Sequence, residues 1–122
     1  MKITEKILIL ANGNFPKTQS ALDFLDSDLS LICCDGAANK CYSAGYKPDV
    51  IIGDIDSLNN ELREVFSDKI IEVKEQNSND LSKALNWANG NNVKSVIMKS
   101  LIISFKSKKC LQYINYTGII IM

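Results

Sequence analysis

The sequence contains no histidine, and its four cysteines, Cys33, Cys34, Cys41 and Cys110, show no CxxC spacing. A structural zinc site is not expected from such a set, and reduced, intracellular thiols are. Net charge is missing too, because 14 Lys and Arg cancel 14 Asp and Glu. No overall field therefore draws the chain to nucleic acid or to an anionic membrane. No apolar run approaches the ~18 residues of a membrane span. The run Ile7 to Ala11 is too short for a signal-peptide core, and Glu5 sits between Lys2 and Lys6 just before it. These absences point to the cytoplasm. There is no internal repeat and no low-complexity linker, and 122 residues make one ordinary domain rather than two. A chain of this length buries roughly two thirds of the surface its unfolded form exposes, enough for one core without staples.

What is present is an alternation. Five short apolar or β-branched runs, Lys6 to Ala11, Leu29 to Cys34, Val50 to Ile52, Lys69 to Val73 and Val93 to Met98, each lead through turn residues toward the next element. They are apolar on both faces, as in parallel strands covered by helices on two sides. The pattern predicts an α/β fold in three layers, Rossmann-like, with a mainly parallel sheet. A first helix starts near Pro16 and carries Ala21, Leu22 and Leu25 inward; a second runs from Gly36 to about Ala44, with Gly45 as its left-handed cap. Lys47-Pro48-Asp49 then turns the chain into the third strand. A third helix, near Leu58 to Phe66, aligns Leu58, Leu62, Val65 and Phe66 on one side. A fourth begins at Asn79 or Asp80, places Leu81, Ala84, Leu85 and Ala88 inward with Trp87 at the edge of that face, and ends at Asn89-Gly90-Asn91.

The strand ends carry the chemistry. Cys34 is followed by Asp35-Gly36-Ala37-Ala38, Ile52 by Gly53-Asp54-Ile55-Asp56-Ser57, and the fourth strand leads to Gln76-Asn77-Ser78-Asn79-Asp80. In a parallel sheet these points share the carboxyl edge, where open α/β folds bind ligands. Asp35, Asp54, Asp56 and Asp80 are therefore expected to converge. Clustered carboxylates disfavour one another's ionised form unless a cation intervenes, and oxygen donors without histidine suit Mg²⁺ with a nucleotide. If their segment is extended, Asp54 and Asp56 point to the same side. Gly13, Gly36 and Gly53 would let the backbone approach a phosphate. Each piece also has a plainer role. Asp35-Gly36 is a turn, Asp56 or Ser57 could cap the third helix, and Asn79-Asp80 could cap the fourth. Asn12-Gly13-Asn14 is a turn with a weak phosphate-loop character, not a GxGxxG. Their coincidence at one edge is the stronger signal.

Three ordered motifs, Asp35 to Asn39, Lys47 to Leu58 and Gln76 to Leu85, resemble the nucleotide-binding half of the thiamine pyrophosphokinase family. The resemblance covers about residues 6–98. It implies Mg²⁺-dependent transfer of a pyrophosphoryl group from ATP to the hydroxyethyl oxygen of thiamine, giving thiamine diphosphate and AMP. On that basis Asp35, Asp54, Asp56 and Asp80 hold Mg²⁺, with Asp54, Asp56 and Asp80 as the catalytic set. Asn12, Gly13, Asp35, Gly36, Ser57, Gln76 and Asn79 contact the nucleotide; Asn79 stands where the family commonly has Thr. Family members are homodimers with a thiamine pocket formed between subunits. The protein's contribution is positioning and charge neutralisation, since phosphoryl transfer offers little covalent work.

The match stops after Met98. There the family has a glycine-rich turn, an Arg-x-Asp-His motif and a β-rich C-terminal domain; the motif does not occur here, because there is no histidine, and the domain is expected to be absent. Residues 1–98 carry 10 basic and 14 acidic side chains, a net of −4, whereas residues 99–122 hold Lys99, Lys106, Lys108 and Lys109 and no acid, a net of +4. The expected organisation is a nucleotide-binding α/β catalytic domain over 1–98 and an atypical basic, apolar tail over 99–122. Two accounts of that tail stand: a shortened C-terminus supplying one or two strands, or a segment translated out of frame, which is preferred. Activity of the shortened chain is then doubtful. Two alternatives remain at this stage: a haloacid-dehalogenase-like phosphatase with Asp54 as nucleophile, and a non-catalytic nucleotide-binding module.

Overall fold

A computed structural model describes residues 3–4, 6–11, 19–74, 80–98, 101–107, 110–115 and 118–121. The elements follow as β1 (Lys6–Leu10), α1 (Gln19–Leu25), β2 (Ser30–Cys34), α2 (Ala37–Ser43), β3 (Val50–Gly53) and α3 (Asn60–Val65). After a 3-10 turn at Ser67–Lys69 come β4 (Ile70–Glu72), α4 (Asp80–Gly90), β5 (Ser95–Met98), β6 (Leu101–Ser107), β7 (Cys110–Asn115) and β8 (Gly118–Ile121). One sheet contains all the strands, in the order β4-β3-β2-β1-β5-β6-β7-β8. From β4 to β5 every pairing is parallel, and from β5 to β8 every pairing is antiparallel.

The five apolar runs become the five parallel strands; β1, β2 and β3 are buried on both faces, whereas β4, at the sheet edge, is only partly buried. Successive strand side chains point to opposite faces. Thus Leu8, Leu10, Leu31, Cys33 and Ile51 join one core with Leu25 of α1, Ala37, Ala38 and Cys41 of α2, and Leu62 of α3. Ile7, Ile9, Ile32, Cys34, Val50, Ile52 and Val96 join a second core with Ala84 and Ala88 of α4. This is the three-layer α/β arrangement. Each fully buried Ile or Leu contributes about 1.5–3 kcal/mol relative to an exposed one. The small side chains of Ala84 and Ala88, both fully buried, let α4 lie close on β2 and β3. Asp49 opens β3 alongside β2: its N–H donates to the Leu31 carbonyl and its Oδ2 accepts the Leu31 N–H, each at 2.7 Å.

Several local expectations meet the structure directly. Gly45 follows α2 at φ +93°, the left-handed cap position, and Trp87 is half-buried at the edge of α4. Pro16 and the start proposed for the first helix lie outside the described residues, as do the side chains of Ala21 and Leu81. Two expectations need correction. Val65 does not join Leu58, Leu62 and Phe66 in the core but is 52% exposed, because α3 begins only at Asn60 and its phase turns Val65 outward. Neither Asp56 nor Ser57 caps that helix; Asn59 holds the N-cap position, in extended backbone. Phe66 closes the first core edge-on to Tyr42, with ring centroids 5.5 Å apart. Cys33, Cys34 and Cys41 are buried free thiols. Among the described residues, no helix is long and apolar enough to cross a membrane.

Candidate functional site

The parallel register sets β2 and β3 to end together: Cys34 pairs with Ile52, and the Asp35 N–H extends the ladder to the Ile52 carbonyl at 2.9 Å. Next to them the Val73 N–H reaches the Gly53 carbonyl at 2.7 Å. Asp35 and Asp54 therefore leave neighbouring strands at the same edge. Asp35 is 4% exposed and sits at φ 43°, in the left-handed region that Asp tolerates better than most residues. Its carbonyl accepts the Ala38 N–H at 3.1 Å, which turns the chain into α2. Its Oδ1 accepts the Ser57 N–H at 3.1 Å, so a buried carboxylate ties the exit of β2 to the loop after β3. Gly36 initiates α2 at φ −62°, a conformation open to any residue.

The loop after β3 is not extended, which corrects the geometry expected for Asp54 and Asp56. Gly53 has φ 141° and Ile55 has φ 70°. A β-branched residue there is strained by on the order of 1–2 kcal/mol. Its side chain, 3% exposed, anchors the loop in the first core. Around it the chain folds back, so that the Asp56 N–H donates to Asp54 Oδ1 at 3.2 Å and the Leu58 N–H to the Ile55 carbonyl at 3.2 Å. Asp54 is half-buried, while Asp56 and Ser57 are exposed. The two carboxylates hang from one tight turn rather than from one face of a strand.

Two side chains outside the expected set hold this turn. Arg63 of α3 donates from Nη2 to the Ile55 carbonyl at 2.6 Å and from Nε to the Leu58 carbonyl at 3.2 Å. Asn39 of α2 donates from Nδ2 to the Ser57 carbonyl at 2.7 Å and accepts the Asn59 N–H on Oδ1 at 3.0 Å. Asn39 falls in the motif that begins at Asp35, which was its only signal; Arg63, on a polar stretch of α3, had none.

Asp80 is the first residue of α4, and the crossover from parallel β4 puts that helix start at the same edge; its side chain lies outside the described residues. Asn12, Gly13, Gln76 and Asn79 also lie outside them. Among the described residues, no group of three or more His, Cys, Asp or Glu side chains is arranged to hold a metal ion. The donor chemistry at the turn, carboxylate oxygens of Asp54 and solvent-facing Asp56, nonetheless suits a hard divalent cation that keeps most of its waters.

The thiamin pyrophosphokinase catalytic-domain profile matches residues 22–105, from α1 into β6. The chain belongs to the thiamin pyrophosphokinase family. Among solved structures, yeast thiamin pyrophosphokinase is similar at 26% identity and a TM-score of 0.60, over 69% of this chain and 31% of that one. Thiamin pyrophosphokinase from Geobacillus thermodenitrificans is similar at 26% identity and a TM-score of 0.59, over 76% of this chain and 45% of that one. The Bacillus subtilis enzyme, at 22% identity, shares the fold with a TM-score of 0.61, over 76% of this chain and 45% of that one. This thiamin pyrophosphokinase family chain thus spans less than half the length of the structures it matches. A search among curated proteins gave no match. Family membership also removes the phosphatase reading of Asp54, which required a different arrangement with a phosphorylated nucleophile.

Proposed function

We propose that this chain supplies the nucleotide side of a thiamin pyrophosphokinase, binding ATP with Mg²⁺ at the carboxyl edge of β2, β3 and α4. The full reaction would move a pyrophosphoryl group from ATP to the hydroxyethyl oxygen of thiamine, leaving thiamine diphosphate and AMP. Asp54, Asp56 and Asp80 would hold the metal, with Asp35 adding buried negative charge behind them. Asn12, Gly13, Gly36, Ser57, Gln76 and Asn79 would contact the nucleotide. Bound Mg²⁺ would offset the charge of the triphosphate. The chain's own work is to fix the phosphates in place and to keep the acidic turn rigid, as suits a reaction that is mostly positioning. The single observation that carries this reading is the tight, tethered turn at Asp54–Ser57 within the stretch matched by the family profile.

We assign this role to residues 1–98, in the cytoplasm, and read residues 99–122 as translated out of frame; an Arg-x-Asp-His continuation in the adjacent reading frame would establish that. Homodimer formation, which the family resemblance implies, is left to measurement of the chain's mass in solution. The functional test is calorimetric titration with Mg²⁺-ATP, first without and then with thiamine. The expected result is saturable Mg²⁺-ATP binding that Asp54→Asn weakens, with slight thiamine-dependent AMP release. Absence of nucleotide binding would reduce the chain to a structural module, and robust thiamine turnover would overturn the assignment of only the nucleotide side to these residues.

A further inference from the structure

We infer that Asn39 and Arg63 are positioning residues that set the affinity of the acidic turn for Mg²⁺-nucleotide without being ligands themselves. The inference rests on the Mg²⁺-ATP reading above and deepens it. Ile55 lies between the two carboxylates of the turn, in a left-handed conformation that its β-branched side chain disfavours. Left alone, such a residue relaxes toward extended backbone, where Asp54 and Asp56 would no longer share one turn. Three holds oppose that relaxation. The Ile55 side chain is buried in the first core, Arg63 grips the carbonyls of Ile55 and Leu58, and Asn39 grips the Ser57 carbonyl and the Asn59 N–H.

The two grips come from different helices, α2 and α3, and together they hold the turn from Ile55 through Asn59. Both use side-chain geometry that neighbouring residue types lack. Arg63 needs two nitrogens to reach two carbonyls, and Asn39 needs a donor and an acceptor on one amide. Partners of this kind, one shell away from metal ligands, typically change metal affinity 10–100-fold when removed.

The experiment compares the wild-type chain with Arg63→Ala, Arg63→Lys, Asn39→Ala, Glu64→Ala and Val96→Ala. Calorimetric titration measures ATP binding at several Mg²⁺ concentrations, with thermal unfolding recorded in parallel. Arg63→Ala and Asn39→Ala are expected to raise the Kd for Mg²⁺-ATP roughly tenfold while leaving the weaker Mg²⁺-free binding of ATP unchanged. Arg63→Lys, which keeps one donating nitrogen, should recover part of the loss. Glu64→Ala, exposed on the same helix, and Val96→Ala, which opens a cavity in the second core rather than in the one that holds Ile55, should keep the wild-type Kd well below their unfolding temperatures. The inference is overturned if wild type binds and the Arg63 and Asn39 variants bind equally well, or if Val96→Ala loses Mg²⁺ dependence to the same degree. Failure of wild type itself to bind would instead bring down the functional reading, and this inference with it.

Discussion

Replacing Asp35 by Asn separates the charge of this buried residue from its geometry. Asp35 occupies the left-handed region at φ 43° and its Oδ1 accepts the Ser57 N–H at 3.1 Å. Asn tolerates that backbone conformation nearly as well and offers an amide oxygen in the same place. The charge is lost, and the second carboxylate oxygen becomes an NH2 group. A hydrogen bond to a charged group contributes about 1.5–3 kcal/mol and a neutral one about 0.5–1.5 kcal/mol, so the bond weakens by about 1 kcal/mol. Part of that returns, because a neutral amide costs less to bury than a carboxylate. Asp35→Asn should therefore destabilise the fold by less than about 1 kcal/mol. Asp35→Ala, by contrast, strands the Ser57 N–H at about 1–3 kcal/mol and forces a left-handed alanine at about 1–2 kcal/mol more. Urea unfolding followed by circular dichroism distinguishes the two, and calorimetry on Asp35→Asn should show Mg²⁺-ATP binding at least about tenfold weaker. Equal destabilisation by Asn and Ala would show that charge, not geometry, ties the loop. Undiminished nucleotide binding by Asp35→Asn would remove Asp35 from the electrostatics of the site.

Two glycines should respond with opposite signs although an added Cβ would meet open space at both. Gly45→Ala is expected to cost about 1 kcal/mol, because φ +93° disfavours any Cβ. Gly90→Ala, at the end of α4, should gain about 0.5–1 kcal/mol by urea unfolding. A further expectation concerns pH. The hydrogen bond with Cys41, then burial, hold the Cys33 thiol well above the usual thiol range, while the same bond lowers Cys41. Stability from Cys33 is complete below the unfolded thiol pKa of about 8.5 and is lost above it, by up to about 1.4 kcal/mol per pH unit, until Cys33 ionises in the fold. Cys41 acts in the other sense: its contribution is present above about pH 8.5 and fades as pH falls through its lowered value. Urea midpoints should therefore drop between pH 8.5 and 10 in wild type and drop less in Cys33→Ala; parallel curves would refute the assignment.

The layers of this fold were legible because burial on both faces leaves β1, β2 and β3 without alternation, and β4 and β5 lie on apolar runs as well. Helix phase was less legible. Leu58, Leu62, Val65 and Phe66 fit one helical face on spacing alone. The helix begins at Asn60, however, so Leu58 and Phe66 reach the core from the flanking segments and Val65 turns to solvent. Spacing cannot distinguish these cases, because the first and last turns of a helix are decided by tertiary contacts as much as by periodicity.

At the candidate site the residue types were legible and the backbone was not. Asp35, Asp54 and the start of α4 could be placed at one edge from strand order alone, since parallel strands end together. Nothing in the letters puts an isoleucine at φ 70°, because intrinsic preference argues against it. The fold accepts that cost by burying the side chain and engaging Ile55 and its neighbours through Arg63 and Asn39. Among the described residues, the other positive φ values away from this edge, at Gly45 and Asn92, follow helix ends, where such conformations are routine. Asp35, Gly53 and Ile55 instead cluster where β2 and β3 release the chain, and only one of the three is glycine. A turn chosen for ease alone would have put glycine at all of them. Strain kept at one edge and opposed from two helices is what the proposed role of Asp54 and Asp56 would require, since that role depends on where the carboxylates sit.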